Sequence, residues 1–167
     1  MGNSPSDKRT VLTGIMLAWL LSAGFIACGA FWGPTFEAAG HATGFALTTA
    51  GFSLIAGIGW AARTRHLVGG IGGGRPPVGS SLDLTLRYVT NTTEQIAIFV
   101  PGCLALVAVD PALATRVLPA MGLWFAIARA LFWAGYRIDP LWRSVGFAAT
   151  FHPTILLHVL VLARLLG

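Results

Sequence analysis

Charge is what this sequence lacks most. Only 10% of its 167 residues are Asp, Glu, Lys or Arg, against 55% that are hydrophobic. Soluble domains average about 25% charged residues, so this chain has too little charge to cover a water-facing surface and falls in the membrane class. Acid is scarcer than base, with 6 Asp+Glu against 11 Lys+Arg and a formal net charge of +5. In a membrane chain that excess is a topology signal, because basic residues collect on the cytoplasmic side. No segment interleaves its basic residues with exposed aromatics, which excludes an RNA-binding module and leaves no nucleic-acid partner. Cysteine is nearly absent as well. Cys28 and Cys103 each lie in an apolar run with no second Cys or His nearby. A zinc centre needs clustered ligands, so no metal site is expected and both thiols read as small buried hydrophobes. The glycine-rich stretch GGIGGGRPPVGSS lacks the GK[ST] of a phosphate loop and a clean G-x-G-x-x-G, so it reads as a flexible linker.

What the chain has in quantity is long apolar runs. Five of them cover about residues 11–32, 43–62, 88–109, 113–136 and 146–166. About 20 apolar residues cross a bilayer core as a helix, and the runs do not alternate as barrel strands do. The fold class is therefore an all-α integral membrane protein. The polar head MGNSPSDKR reads as short and mobile. The first run lacks the small-residue end of a cleaved signal, and Gly2 and Ser6 match a lipidation motif only weakly. With the N-terminus cytoplasmic, Lys8, Arg9, Arg63, Arg65, Arg75, Arg87, Arg137 and Arg143 all fall inside, and Arg116 and Arg164 outside. This is the bias expected of five spans with the C-terminus out. A four-span arrangement, in which the first two runs do something else, is the alternative. The Ala- and Gly-rich composition suits a bacterial inner membrane.

The exception to the greasy pattern is RYVTNTTEQIAIF, residues 87–99. Arg87, Asn91 and Glu94 stand at i, i+4 and i+7, within an arc of about 60° on one helix face. An ionisable group at membrane depth costs at least ~2.5–3.5 kcal/mol, so these residues should face a bundle or a wet cavity. The fourth run ends ARALFWAGYRIDPLWRS. Arg129, Phe132 and Tyr136 share a face there, and Arg143 follows in the short loop. Consecutive antiparallel spans bring both polar faces to one surface, where Glu94 can neutralise Arg129. Three arginines against one carboxylate leave room for a small anionic ligand, whereas a structural ion-pair network tends to balance.

R-x-x-x-N-x-x-E opening one helix, then R-x(6)-Y-x(6)-R across the end of the next, resembles the MAPEG superfamily. These are the membrane-associated proteins in eicosanoid and glutathione metabolism, among them microsomal glutathione transferases, prostaglandin E synthase and leukotriene C synthase. The NTTEQ run is similar to bacterial members, and the likeness covers about residues 43–166. The resemblance implies a MAPEG-like four-helix domain over residues 43–167, with residues 1–42 as a polar head and an extra N-terminal transmembrane helix. It implies a homotrimer binding glutathione between subunits near the cytoplasmic face, with a lipophilic small molecule as second substrate. By position, Arg87, Asn91, Glu94, Arg129 and Tyr136 would hold glutathione. Arg143 matches the arginine that activates the thiol, and Ser144 stands where the prostaglandin synthase has a serine. Phe132 replaces a second tyrosine of some members, Thr90 replaces an arginine of the prostaglandin synthase, and Pro101 comes late and should kink the third span.

The chemistry of the residues agrees with those roles. Glutathione offers two carboxylates, an ammonium and a thiol, which suit several guanidiniums, one acid and an amide. A thiol pKa must fall from about 8.5 to near 7 for useful thiolate, roughly 2–3 kcal/mol, which one guanidinium in a half-dry site can supply. The expected activity is a glutathione S-transferase-like or peroxidase-like reaction on lipophilic electrophiles. The competing reading is a non-enzymatic membrane protein, a small transporter, binding or assembly module, with its charges as bundle glue. Asn91-Thr92-Thr93 is a formal glycosylation sequon that a cytoplasmic helix start would not use. His152 and His158 read as interior hydrogen bonders, and the six tryptophans mostly as interfacial anchors.

Overall fold

The computed structural model describes residues 5–68 and 73–167. The first four residues of the polar head, the Gly2 lipidation position and residues 69–72 of the glycine linker lie outside them. Five helices follow one another: α1 (Pro5–Trp32), α2 (Ala39–Leu67), α3 (Ser81–Val109), α4 (Pro111–Gly135) and α5 (Pro140–Leu166). All five are long and apolar enough to cross a membrane, as the all-α expectation and the five-span reading require.

The helices run longer than the apolar runs. α2 carries on through Arg63 and Arg65, past the end of its apolar run at residue 62. α3 starts seven residues earlier than its apolar run because a cap, rather than hydropathy, starts it. The Ser80 hydroxyl accepts from the Asp83 N–H at 3.2 Å, and the Asp83 carboxylate accepts from the Gly79 N–H at 2.8 Å. Gly79 holds φ at +79°, the left-handed region where glycine carries no steric penalty. Arg87, Asn91 and Glu94 therefore lie two turns and more inside α3, not at its start. α5 is capped by Asp139, whose carboxylate accepts from the Leu141 N–H at 2.6 Å. Arg143 and Ser144 thus belong to the first turns of α5, not to a loop.

α2 to α5 form the bundle, with α4 packed on each of the other three. Its core joins Ala46 and Ala50 of α2, Phe99, Cys103 and Leu106 of α3, Leu118, Met121 and Phe125 of α4, and Leu157 and Val161 of α5. α1 lies outside, against α4 and α5, without contact to α2 or α3 among the described residues. It is fixed there by Trp124, whose Nε1 donates to the Ser22 hydroxyl at 2.8 Å and the Ala149 carbonyl at 2.9 Å. Trp124 is thus a buried strut and not an interfacial anchor. Cys103 is buried as expected, but Cys28 is exposed on the outer side of α1.

Close helix approach rests on glycine. A Cβ on Gly122 would stand 2.5 Å from Ala46 Cα and 2.6 Å from Thr49 Oγ1. Gly122→Ala is expected to lower stability by about 1–3 kcal/mol through overpacking. Gly24→Ala, where nothing lies within 4 Å, should hold or raise stability by up to ~1 kcal/mol. Thermal unfolding of both variants in detergent checks the pair.

Candidate functional site

The helix order puts the starts of α1, α3 and α5 and the ends of α2 and α4 at one end of the bundle. Two glycines then let α4 and α5 meet closely there. Gly135 lies against the backbone N and Cα of Arg143, and Gly146 against the backbone N of Phe132, so that a Cβ on either would collide. The contact sets Tyr136, in the turn after α4, beside Arg143, whose Cζ lies 5.5 Å from the Tyr136 ring centroid.

Arg129 stands one turn and a half before the end of α4 and is wholly buried, with 0% exposure. A helical side chain leans toward its helix's N-terminus, and that of α4 is at the far end of the bundle. Arg129 therefore leans into the bundle instead of snorkelling out. Its Nη2 donates to Asn91 Oδ1 at 3.0 Å and its Nη1 to the Thr150 hydroxyl at 3.3 Å. Asn91 passes the contact on, donating through Nδ2 to Glu94 Oε2 at 3.2 Å. The guanidinium also lies over the Phe132 ring, 4.1 Å from its centroid, and 5.5 Å from that of Tyr88. Phe132 in turn meets Tyr136 edge to face at 5.2 Å. Glu94, Asn91, Arg129, Phe132, Tyr136 and Arg143 thus form one continuous series of contacts at the same end of the bundle.

Two details depart from the sequence reading. Glu94 does not pair with Arg129; Asn91 stands between them. Among the described residues the ion pairs are Arg87–Asp83 at 3.1 Å and Arg164–Asp110 at 3.4 Å. Arg87 is thus matched by an acid one turn back on its own helix, and it stays outside the series. The cationic excess is narrower than three against one, and it centres on Arg129 and Arg143. Arg129 Nε is buried without a hydrogen-bond partner, so the strongest donor in the bundle is only partly satisfied.

Arg143 and Ser144 open onto a cleft of about 410 Å³ that Phe132, Tyr136 and Phe147 also line. This is the size range of small-molecule sites. Phe132 both lines the cleft and lies against the Arg129 guanidinium, which is itself not part of the lining.

Sequence reasoning missed a second aromatic and cationic group at this end. Arg63 and Arg137 lie over Trp60 at 5.4 and 5.8 Å, and Arg137 also lies 5.8 Å from Trp133. Trp133 stacks on Tyr88 at 4.9 Å, and the Tyr88 hydroxyl donates to the Ser53 carbonyl at 2.9 Å. The signal was present: Trp60 and Arg63 are three apart, Trp133 and Arg137 four apart, and both spacings share a helix face.

A family model described as the MAPEG family matches residues 42–163, well over half of the chain. No curated protein and no solved structure matches it.

The hydrogen-bonded link gives a test independent of ligand. Asn91→Leu leaves a buried guanidinium short of an acceptor and should cost about 1–3 kcal/mol. Adding Arg129→Met removes the stranded charge and should return most of that loss. Unfolding of wild type, both single variants and the double variant in detergent gives the coupling.

Proposed function

The chain belongs to the MAPEG family, and from that premise we propose that this integral membrane protein binds glutathione and joins it through its sulfur to lipophilic electrophiles. The observation that carries the proposal is the unbroken contact series from Glu94 to Arg143 across two antiparallel helices and the turn into a third. One carboxylate, one amide and two guanidiniums lie along it, and they match the ammonium, peptide and carboxylate groups of the tripeptide. The partnerless Nε of Arg129 supports a ligand there, because a buried charged donor left unsatisfied is costly and a ligand carboxylate would relieve it. In this reading Asn91, Glu94, Arg129 and Tyr136 hold glutathione. Arg143, assisted by Ser144, stabilises the thiolate at the mouth of the cleft. Arg87 serves at the rim, where its side chain is 53% exposed.

Conjugation then needs little more from the protein. The sulfur forms a bond to the electrophilic carbon, the leaving group departs with its electron pair, and the thiol proton passes to water. With a lipid hydroperoxide the same thiolate would act as reductant, two glutathiones giving the disulfide while the peroxide becomes an alcohol and water. Both reactions use a guanidinium-stabilised thiolate and a cleft open to lipid.

The proposal extends to assembly and membrane placement. Arg87 and Glu94 are exposed on the single chain although they sit in a membrane-length helix. Facing lipid, each ionised group would cost at least ~2.5–3.5 kcal/mol. A neighbouring subunit covers them in the homotrimer we propose, and residues 43–167 are the unit that builds it, with residues 1–42 added at the edge. The gathering of Lys8, Arg9, Arg63, Arg65, Arg75, Arg137 and Arg143 at one end supports a cytoplasmic N-terminus, in a bacterial inner membrane.

The structural alternative has one observation in its favour. Arg87–Asp83 and Asn91–Glu94 are pairs within α3, as bundle glue would be. Glutathione titration separates the readings. A hundredfold excess over Kd should stabilise the purified protein by ~2.7 kcal/mol, a rise of several degrees in Tm. Arg143→Ala should lose at least a hundredfold in turnover while keeping its fold. No stabilisation at millimolar glutathione overturns the proposal. Native mass measurement in mild detergent is expected to give three copies, and a monomer would remove the account of Arg87 and Glu94.

A further inference from the structure

α1 closes onto the bundle at the residue next to Arg143. Gly14 faces Ser144 so closely that a Cβ there would meet Ser144 Cβ at 2.9 Å and the Leu141 carbonyl oxygen at 3.4 Å. One turn on, Ala18 is fully buried, and a further turn on, Ser22 takes the Trp124 hydrogen bond. At the far end a Cβ on Gly29 would meet Ala120 Cβ at 2.5 Å. Small residues and one hydrogen bond thus hold α1 along its length, in the manner of tight packing between membrane helices.

The result is a wall. Val11 and Ile15, flanking Gly14, line the same cleft as Arg143 and Ser144. The four-helix bundle alone would leave that side of α5 open. Deeper along α5, His152 lines the cleft as well, with its ring stacked on Trp19 of α1 at 5.1 Å. The buried Nδ1 of His152 has no hydrogen-bond partner. His158 on the same helix shows the ordinary solution, with Nδ1 2.9 Å from the Thr154 carbonyl oxygen four residues back. His152 makes no such bond, and it is a polar group in an otherwise aromatic and aliphatic part of the cleft.

We propose that this cleft takes one extended lipophilic molecule lying along α5, its reacting end beside Arg143 and a second polar group bonded to His152, with α1 as the wall that selects it. The nature of the reacting end rests on the glutathione reading above; the shape and the second polar group do not. Arg143 and His152 are nine residues apart, about 13 Å along the helix axis at ~1.5 Å per residue and half a turn apart around it. They thus line opposite margins of the cleft, and a molecule reaching both spans at least that axial distance. The favoured class is therefore a long-chain electrophile with a hydroxyl or carbonyl roughly that far from its reactive carbon. In the transfer, the carbon–sulfur bond forms at the reactive carbon, the leaving group takes its bonding pair, and the thiol proton goes to water. His152 takes no part in that exchange and acts on specificity alone.

The test uses a pair of long-chain α-bromoketones, alike except for one hydroxyl about 13 Å from the reacting carbon, with a compact aryl halide for comparison. On the wild-type full chain with glutathione, kcat/KM should favour the hydroxylated chain by about five- to tenfold, the worth of one hydrogen bond. His152→Phe keeps a ring against Trp19 and should bring that ratio to about one; His152→Asn should restore part of it. Ile15→Trp fills the wall and should lower the ratio of long-chain to aryl halide kcat/KM by about tenfold or more. A ratio near one in wild type, a ratio that survives His152→Phe, or equal slowing of both classes by Ile15→Trp overturns the inference. A readout without glutathione separates the two proposals: the unreactive, bromine-free hydroxyketone should raise the Tm of wild type and not of His152→Phe. That shift without any glutathione binding would uphold the cleft and sink the transferase reading, and no shift would sink the cleft.

Discussion

A guanidinium buried in an apolar bundle without a carboxylate against it sets the terms for the rest of this molecule. Arg129 is wholly buried, bonded to an asparagine and a threonine and flanked by two rings. Taking such a charge out of water costs several kcal/mol even after relaxation. Neutral acceptors and ring faces return only part of that cost. Folding alone would be served as well by a leucine or methionine at this position. The direction of α4 explains how the charge is kept in place: the side chain leans toward the distant helix start and cannot swing out to the near surface. Arg143 has the opposite arrangement. It stands at the start of α5 and leans toward the near surface, where it is exposed. The two arginines thus reach one region from different depths, with Phe132 between them.

Much of the fold was legible because a membrane span is a statement about length and apolarity, and both can be read in order along the chain. The helix ends were not, because hydropathy stops where the amphipathic turns begin. SLDLTLRY reads as linker by apolarity, yet Ser80 and Asp83 form the Ser-x-x-Asp start of a helix. That cap had a consequence for the site. Once α3 starts at Ser81, Asp83 lies one turn before Arg87 and takes its charge. The apolar run that defined the third span began at residue 88, after both of them.

The candidate site was legible in its residue types and helix faces but not in its pairings. Spacing alone puts Asn91 and Glu94 on one face. Only packing decides that Asn91, the shorter side chain and one turn nearer the bundle end, comes between Glu94 and Arg129. The partners of α1 were beyond sequence reading for a similar reason. Gly14, Ala18 and Ser22 mark a small-residue stripe at four-residue intervals. Such a stripe says that something packs closely, and it does not say against which helix.

The placement of α1 also gives the two sides of the bundle different fates. α1 covers α4 and α5 and, among the described residues, makes no contact with α2 or α3. Arg87 and Glu94, both exposed on the single chain, are on α3. A neighbouring subunit that satisfies them has to approach the α2–α3 side, which leaves α1 at the periphery of the proposed trimer, facing lipid. The cleft behind Val11 and Ile15 is then open to the bilayer past the edge of α1, while the proposed tripeptide ligand would arrive from the arginine-rich end. On the proposed glutathione reading, two reactants with opposite solubilities enter by different routes and meet at Arg143. That separation follows from which faces the added helix covers, and a four-helix unit alone would not impose it.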